Sequence, residues 1–418
     1  MSLLTTLTRM WLTRSTKPFR FLKEYDSRLP FQDCDRLGLY VHIPFCKTIC
    51  SFCPYCKTLY SGELCSLYLD ALRKEIHLVG RQQSGRKRAT SLYFGGGTPA
   101  LAADRLKEIT DALQEHFILS EGIGVELHPD NVTPSVLRKL KEAGVTKISI
   151  GIQSFQGKFQ KVLGRTNKLD ASAIGKTLSE TPFETVSMDF IFALPAQTFP
   201  DLKADLDMAF QSGANHVAIY PFINFSFTPS SIAPMPNRAK RALLEDITRY
   251  CAEKGYFRDS IWTFSKGGNA KYSSMTRDMF LGFGCSATSL LADQFKINTF
   301  SVEEYCRRVN AGELPTALTC RMTPRQRMIY YLFWTAYGMK INPRDFEEFF
   351  GVPLKKMYGV ELKIAEWLGY LVREKENYLL TPKGAFSYHY YEHFYTLAYI
   401  DKMWGIMRQE AFPEKIEL

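Results

Sequence analysis

The chain has 418 residues, 45% of them hydrophobic and 14% aromatic, enough apolar mass for one large domain and a smaller one, each with its own core. No apolar run reaches the roughly 20 residues of a membrane-spanning helix, which excludes a helical integral membrane protein. The 53 Lys and Arg against 43 Asp and Glu leave a net charge of +10, which favours anionic partners without choosing among phosphorylated cofactors, nucleic acid and acidic membrane surfaces.

The first stretch, MSLLTTLTRMWLTRSTKPFRFLKEY, lacks the unbroken apolar segment and small-residue cleavage site of a secretory signal, so the chain is expected in the cytoplasm. Leu3, Leu4, Leu7, Met10 and Trp11 recur at helical spacing, and Arg9, Arg14, Lys17, Arg20 and Lys23 add positive charge. That pattern suits a helix lying on a bilayer surface, hence peripheral membrane contact, or a terminal helix docked on the domain, which is the preferred reading. Residues 1–37 are set apart as an N-terminal extension.

From residue 38, strand-like runs at 38–44, 89–95, 124–128, 147–152, 185–192 and 216–220 alternate with helical stretches such as LCSLYLDALRKEIHLVG and TPSVLRKLKEAGV. Six βα repeats over 38–230 predict an α/β fold, a partial (β/α)6 TIM-like barrel that stays open, with ligands at the carboxyl ends of its strands. Residues 231–320, with SSIAPMPNR and FLGFGCSATS, read as a barrel-completing, substrate-side segment. Residues 321–418 read as a C-terminal helical, winged-helix-like domain, with helices followed by the hairpin LVREKENYLLTPKG. Its would-be recognition helix is rich in Glu and Trp rather than in residues that read base edges, so a packing role is expected and no nucleic-acid partner.

Directly after the first strand, CKTICSFCPYC places Cys46, Cys50, Cys53 and Cys56 in one loop. In a reducing compartment such clustering reads as metal ligation or redox chemistry. Structural zinc sites draw on two separated pairs of ligands, and the bacterial ferredoxin spacing is different. Three thiolates from one loop can instead hold three irons of a four-iron four-sulfur cluster and leave the fourth iron open to a small molecule.

YVHIPFCKTICSFC resembles the signature of radical S-adenosylmethionine enzymes, within the family of oxygen-independent coproporphyrinogen III oxidase and its relatives. The resemblance implies a radical SAM barrel with a 4Fe-4S cluster on Cys46, Cys50 and Cys53, an exchangeable S-adenosylmethionine on the open iron, and Tyr40 and Phe52 lining the cofactor site. In FGGGTP, Gly96, Gly97 and Thr98 are expected to approach the cofactor closely and present backbone amides to it. Glu126 resembles the family's acidic residue at the ribose or amino group, although a carboxylate at a strand end can equally cap a helix. Gln153 and Arg165 in IQSFQGKFQKVLGRTN correspond to the family's cofactor-binding Gln and Arg, and Asp189 is a charge in an otherwise apolar strand, expensive unless paired or ligand-bound. The motifs run in family order over about residues 38–310, and the C-terminal segment resembles the family's accessory domain. Cys56 lies beyond the triad; it reads as a spare thiol, a later nucleophile or a core residue, the last preferred.

Within the family, CPYC replaces the CxC of coproporphyrinogen oxidase, and PFINFSFTPSS offers Phe222, Phe225 and Phe227 but no cation for a substrate with four carboxylates. The stretch AKYSSMTRDMF lacks the HN-x-x-YW run of chaperone-like relatives. That stretch resembles the methyltransferase and haem-opening branches, and CSFCPYCK with a surface-binding N-terminus is most similar to the class C methyltransferases, which use two S-adenosylmethionine molecules to methylate an unreactive sp2 carbon. The expected substrate is then lipophilic, the naphthoquinone ring of menaquinone, with a low-potential donor such as flavodoxin or ferredoxin supplying electrons. The alternative is tetrapyrrole chemistry, as a coproporphyrinogen oxidase, a haem-opening enzyme or a haem chaperone. His42 reads as a satisfied core histidine or an acid/base group, and Tyr272, Thr276 and Arg277 are the substrate-side candidates.

Overall fold

Runs such as LYFGG and TVSMDFIF are buried on both faces, as a parallel sheet covered by helices requires. The computed structural model, which describes residues 18–24, 28–32, 34, 36–165, 168–267 and 279–418, places six such strands side by side. They are β1 (Leu37–Ile43), β2 (Leu92–Gly96), β3 (Ile123–Leu127), β4 (Val145–Gln153), β5 (Thr185–Phe192) and β6 (His216–Pro221). Side-chain caps start the intervening helices: Ser61 before Gly62–Gly80, Thr133 before Pro134–Glu142, and Thr198 with Asp201 in a reciprocal capping box before Phe199–Gln211.

Met279–Phe283 joins the other side of β1 in parallel, and Thr288–Leu291, Gln294–Asn298 and Thr316–Arg321 continue antiparallel. The 14-stranded sheet ends at Phe257–Arg258 on one side and Lys415–Glu417 on the other, so it stays open. Arg20–Leu22, read from the sequence as part of an extension, is an interior strand between Thr316–Arg321 and Lys415–Glu417. Three residues are too few to show a period, and the partners lie at the far end of the chain. Arg20 and Lys23 pair with Glu417 and Glu414. Leu3, Leu4, Leu7, Met10 and Trp11 lie outside the described residues, as do Tyr272, Thr276 and Arg277. No described helix is long and apolar enough to cross a membrane.

The winged unit comprises helices Pro324–Tyr337, Pro343–Phe350 and Leu354–Trp367 with a three-stranded sheet ordered Lys340–Ile341, Asn377–Leu380, Leu371–Glu374. It has its own small core around Phe346, Tyr358 and Leu362. The chain beyond it returns to the barrel, where Tyr388, Met403, Met407 and Ile416 join the main core. The final helix, Asp401–Gln409, thereby reaches the cysteine loop.

Candidate functional site

The carboxyl end of β1 runs into Pro44 and the two-residue strand Phe45–Cys46, which pairs with Thr58–Leu59. Thr58 donates to the Pro44 carbonyl at 2.7 Å and Tyr60 to the Cys46 carbonyl at 2.9 Å, so the neck of the cysteine loop is pinned. Within it Cys46, Cys50 and Cys53 keep part of their surface open, whereas Cys56 is buried. The Thr98 hydroxyl donates to Cys46 Sγ at 3.7 Å, and Lys57 donates to the Cys53 carbonyl. Burial pushes the Cys46 thiol up to about 11 and the Cys53 thiol up as well, so without a metal both stay protonated. Among the described residues, two groups of three donors converge within 4.8 Å, the reach of a single ion, and neither contains this triad. Three thiols on one loop, spread wider than one ion's ligands, fit a multi-iron cluster.

Tyr40 and His42 stand on the same face of β1. The Cys56 carbonyl lies 2.9 Å from His42 Nε2; a carbonyl only accepts, so Nε2 carries the proton and Nδ1 accepts from the Tyr40 hydroxyl at 3.0 Å. Gly96 has φ +120°, and a Cβ there would fall 2.7 Å from the His42 ring; one on Gly97 would fall 2.6 Å from the Phe45 carbonyl oxygen. The amides of this turn are already committed: Gly96 N–H to Glu126, Gly97 N–H to the Ile43 carbonyl and Thr98 N–H to the Phe45 carbonyl. This corrects the expectation that they point at a cofactor. The close approach that demands glycine is between β1 and the turn after β2.

Glu126, at the end of β3, and Asp189, at a bulge in β5 between Met188 and Phe190, are both carboxylates held by neutral donors. Glu126 accepts from the Tyr93 hydroxyl and Gly96 N–H, each at 3.2 Å. Asp189 accepts from Ser149 at 2.7 Å and Ser187 at 3.2 Å. Burial, with the Asp189 charge second, pushes Glu126 up to about 7, and burial pushes Asp189 up to about 6. Two such carboxyls in one chamber are suited to a ligand bearing a cation or hydroxyls. Gln153 ends β4 in the left-handed region at φ 68°, a strained position for a non-glycine residue. Arg165 donates to the Gly151 carbonyl at 2.6 Å and lies 5.8 Å from the Phe52 ring centre, while its buried Nε has no partner among the described residues. An orphaned guanidinium N–H is suited to a carboxylate.

Tyr40, His42, Cys46, Cys50, Phe52, Cys53, Gly96, Gly97, Thr98, Glu126, Gln153, Arg165 and Asp189 all line one cavity of about 1280 Å³. It continues past Cys56, Phe222 and Phe225 to Tyr330, Phe333, Trp334, Tyr395 and Trp404 of the C-terminal segment. Phe227 lies beneath the Arg408 guanidinium instead, 4.7 Å away. The final helix closes the cavity: Trp404 packs 6.0 Å from Tyr55 and 6.3 Å from Phe300, and Asp401 accepts the Ser226 amide at 2.8 Å. Sequence reasoning missed Trp404 and Arg408, whose positions carry no motif. It also passed over Cys285, although the Gly-Phe-Gly-Cys-Ser run after a strand was a visible signal.

Residues 40–209 match the model of the Radical SAM superfamily. This stretch has the radical SAM fold. The superfamily implies a 4Fe-4S cluster and S-adenosylmethionine, which the open thiols, buried carboxyls and orphaned Arg165 nitrogen fit. The chain is 26% identical over 366 residues to the heme chaperone HemW of Bacillus subtilis, across 82% of this chain and 95% of that protein. It is 28% identical over 322 residues to the oxygen-independent coproporphyrinogen III oxidase of Pseudomonas aeruginosa, across 70% of each. Its fold is that of coproporphyrinogen III oxidase (HemN) from Escherichia coli, with a TM-score of 0.72 at 20% identity, over 89% of this chain and 95% of the other. These relatives overturn the reading as a menaquinone C-methyltransferase: similarity extending over most of the chain leads to haem chaperones and coproporphyrinogen oxidases. The features that misled were the CPYC ending and the phenylalanines after β6, neither of which specifies a methyl acceptor.

Proposed function

We propose that this chain is a radical SAM protein whose ligand is a tetrapyrrole of the haem type, with Cys46, Cys50 and Cys53 holding the cluster. The observation that carries the reading is the composition of the cavity. At about 1280 Å³ it exceeds the ~300–1,000 Å³ of a pocket for one small ligand, leaving room for a macrocycle beside S-adenosylmethionine. Its cationic side chains, Lys47, Lys57 and Arg165, gather at the cysteine end, and the far end is aromatic. A flat apolar ring with few carboxylates suits that division better than coproporphyrinogen with four.

When bound, the cluster and S-adenosylmethionine supply an electron and a hydrogen-abstracting carbon radical. The residues of this chain bind and orient. Glu126 and Asp189 receive the ammonium or ribose hydroxyls, Arg165 the carboxylate, and Trp404 and Tyr55 shield the chamber from water. A low-potential flavodoxin or ferredoxin is the electron source in this reading. A second S-adenosylmethionine, expected for methyl transfer, is not required.

The test is anaerobic incubation of cluster-reconstituted protein with haem or coproporphyrinogen III. Saturable haem binding, read from the Soret band and weakened at least about tenfold by Trp404→Ala, is expected, without release of carbon dioxide from coproporphyrinogen. Carbon dioxide release coupled to 5′-deoxyadenosine would establish the oxidase instead, and binding of neither compound would remove the tetrapyrrole reading.

A further inference from the structure

Beyond the cofactor residues, the cavity wall holds a second sulfur-rich group. His42 on β1, Cys56 at the end of the cysteine loop and Cys285 in the turn after Met279–Phe283 are all buried, and their ligating atoms lie within 4.8 Å of one another. They come from three separate elements, so no local sequence constraint brings them together.

The backbone is bent to aim Cys285. Gly284 at φ 96° and Ser286 at φ 56° flank it, both in the left-handed region, a strained conformation for a serine. The turn is held by Glu75, which accepts the Gly284 amide at 2.7 Å, and by the Tyr68 hydroxyl, which accepts the Cys285 amide at 3.0 Å. On the opposite side the missing Cβ of Gly96 makes room for the His42 ring. Apolar packing of two thiols needs neither a strained turn nor a histidine within reach of both.

We propose that His42, Cys56 and Cys285 form a second metal site, separate from the cluster, for a thiophilic ion such as Zn2+. Two thiolates and one imidazole with an open fourth position are a recognised zinc set, and the two negative sulfurs neutralise the dication where burial would penalise net charge. Binding releases the two thiol protons. One ring nitrogen of His42 ligates while the other keeps its present hydrogen bond, which fixes the ring. His42, Cys56 and Ser286 line the cavity, so the open position faces it. The site does not depend on the identity of the cavity's ligand.

The test uses full-length protein reconstituted anaerobically with iron and sulfide, so that the cluster cysteines are occupied, then dialysed against Zn2+. About one zinc per chain is expected, with zinc-edge X-ray absorption showing two sulfurs near ~2.3 Å and nitrogen near ~2.0 Å. Cys285→Ala should lower zinc retention at least tenfold while iron content, which reports on folding, is unchanged; Cys285→Ser provides a second variant with the turn's bulk retained. Equal zinc in wild type and both variants, a three-sulfur zinc environment, or no retained zinc would each overturn the site.

Discussion

Arg408, in the final helix, donates a hydrogen bond to the carbonyl oxygen of Pro54 in the cysteine loop, joining positions 354 residues apart. The same helix lays Trp404 against Tyr55. Closure of the cluster end is thus performed by a helix more than 300 residues further along the chain. Arg408 is exposed, so its bond is worth about 1 kcal/mol, enough to change an opening equilibrium several-fold. Arg408→Ala is expected to bleach the reconstituted cluster several-fold faster in air, followed by visible absorbance, with little change in global stability.

Gly97 offers a test of the close approach between the end of β1 and the turn after β2. A Cβ would meet the Pro44 carbonyl carbon at 2.7 Å and the Phe45 carbonyl oxygen at 2.6 Å, both backbone atoms that cannot swing aside. Gly97→Ala should cost about 1–3 kcal/mol, measured by chemical denaturation, and should lower iron retention because the displaced segment carries Cys46.

How much of this was legible in the sequence depends on the range of the interactions. Strands β1 to β6 were readable because strands buried on both faces are continuous apolar runs, and the cysteine loop because its ligands are adjacent. Arg20–Leu22 and Lys415–Glu417 were not, since each is three residues long and the strands that Arg20–Leu22 pairs with lie at the far end of the chain. Likewise the glycines of FGGGTP showed that something approaches closely, but the neighbour proved to be the chain's own His42 and Phe45. The methyltransferase reading failed for a related reason: an aromatic chamber can accommodate many apolar ligands and leaves the chemistry open.

Binding of S-adenosylmethionine should depend on pH. Burial holds Glu126 at about 7 and Asp189 at about 6, so both are ionised above pH 7.5 and lose charge as the pH falls. The cofactor is cationic at its ammonium and sulfonium, hence its affinity should fall at least about tenfold between pH 8 and pH 5.5. Equilibrium dialysis checks this, and Glu126→Gln should flatten the upper part of the profile while lowering affinity at pH 8.

Glu75 gives a stability test with the opposite outcome to the usual buried ion pair. Its carboxylate accepts from Tyr305 at 2.6 Å and Gly284 at 2.7 Å, yet burial outweighs these bonds and raises it from 4.5 to about 7. A folded value above the unfolded one in an acid means full stability below about pH 4.5, lost as the pH rises to about 7. The loss is about 3 kcal/mol. Denaturation of cluster-free protein at pH 5 and pH 7.5 captures most of it, and Glu75→Gln should remove that pH dependence.

The most direct measurement is electron paramagnetic resonance of the anaerobically reconstituted, dithionite-reduced chain, before and after S-adenosylmethionine. The expected result is a reduced-cluster signal whose shape changes on adding the cofactor, absent in Cys50→Ala and retained in Cys56→Ala. A silent spectrum, or a signal and iron content indifferent to Cys50→Ala, would contradict the assignment of Cys46, Cys50 and Cys53.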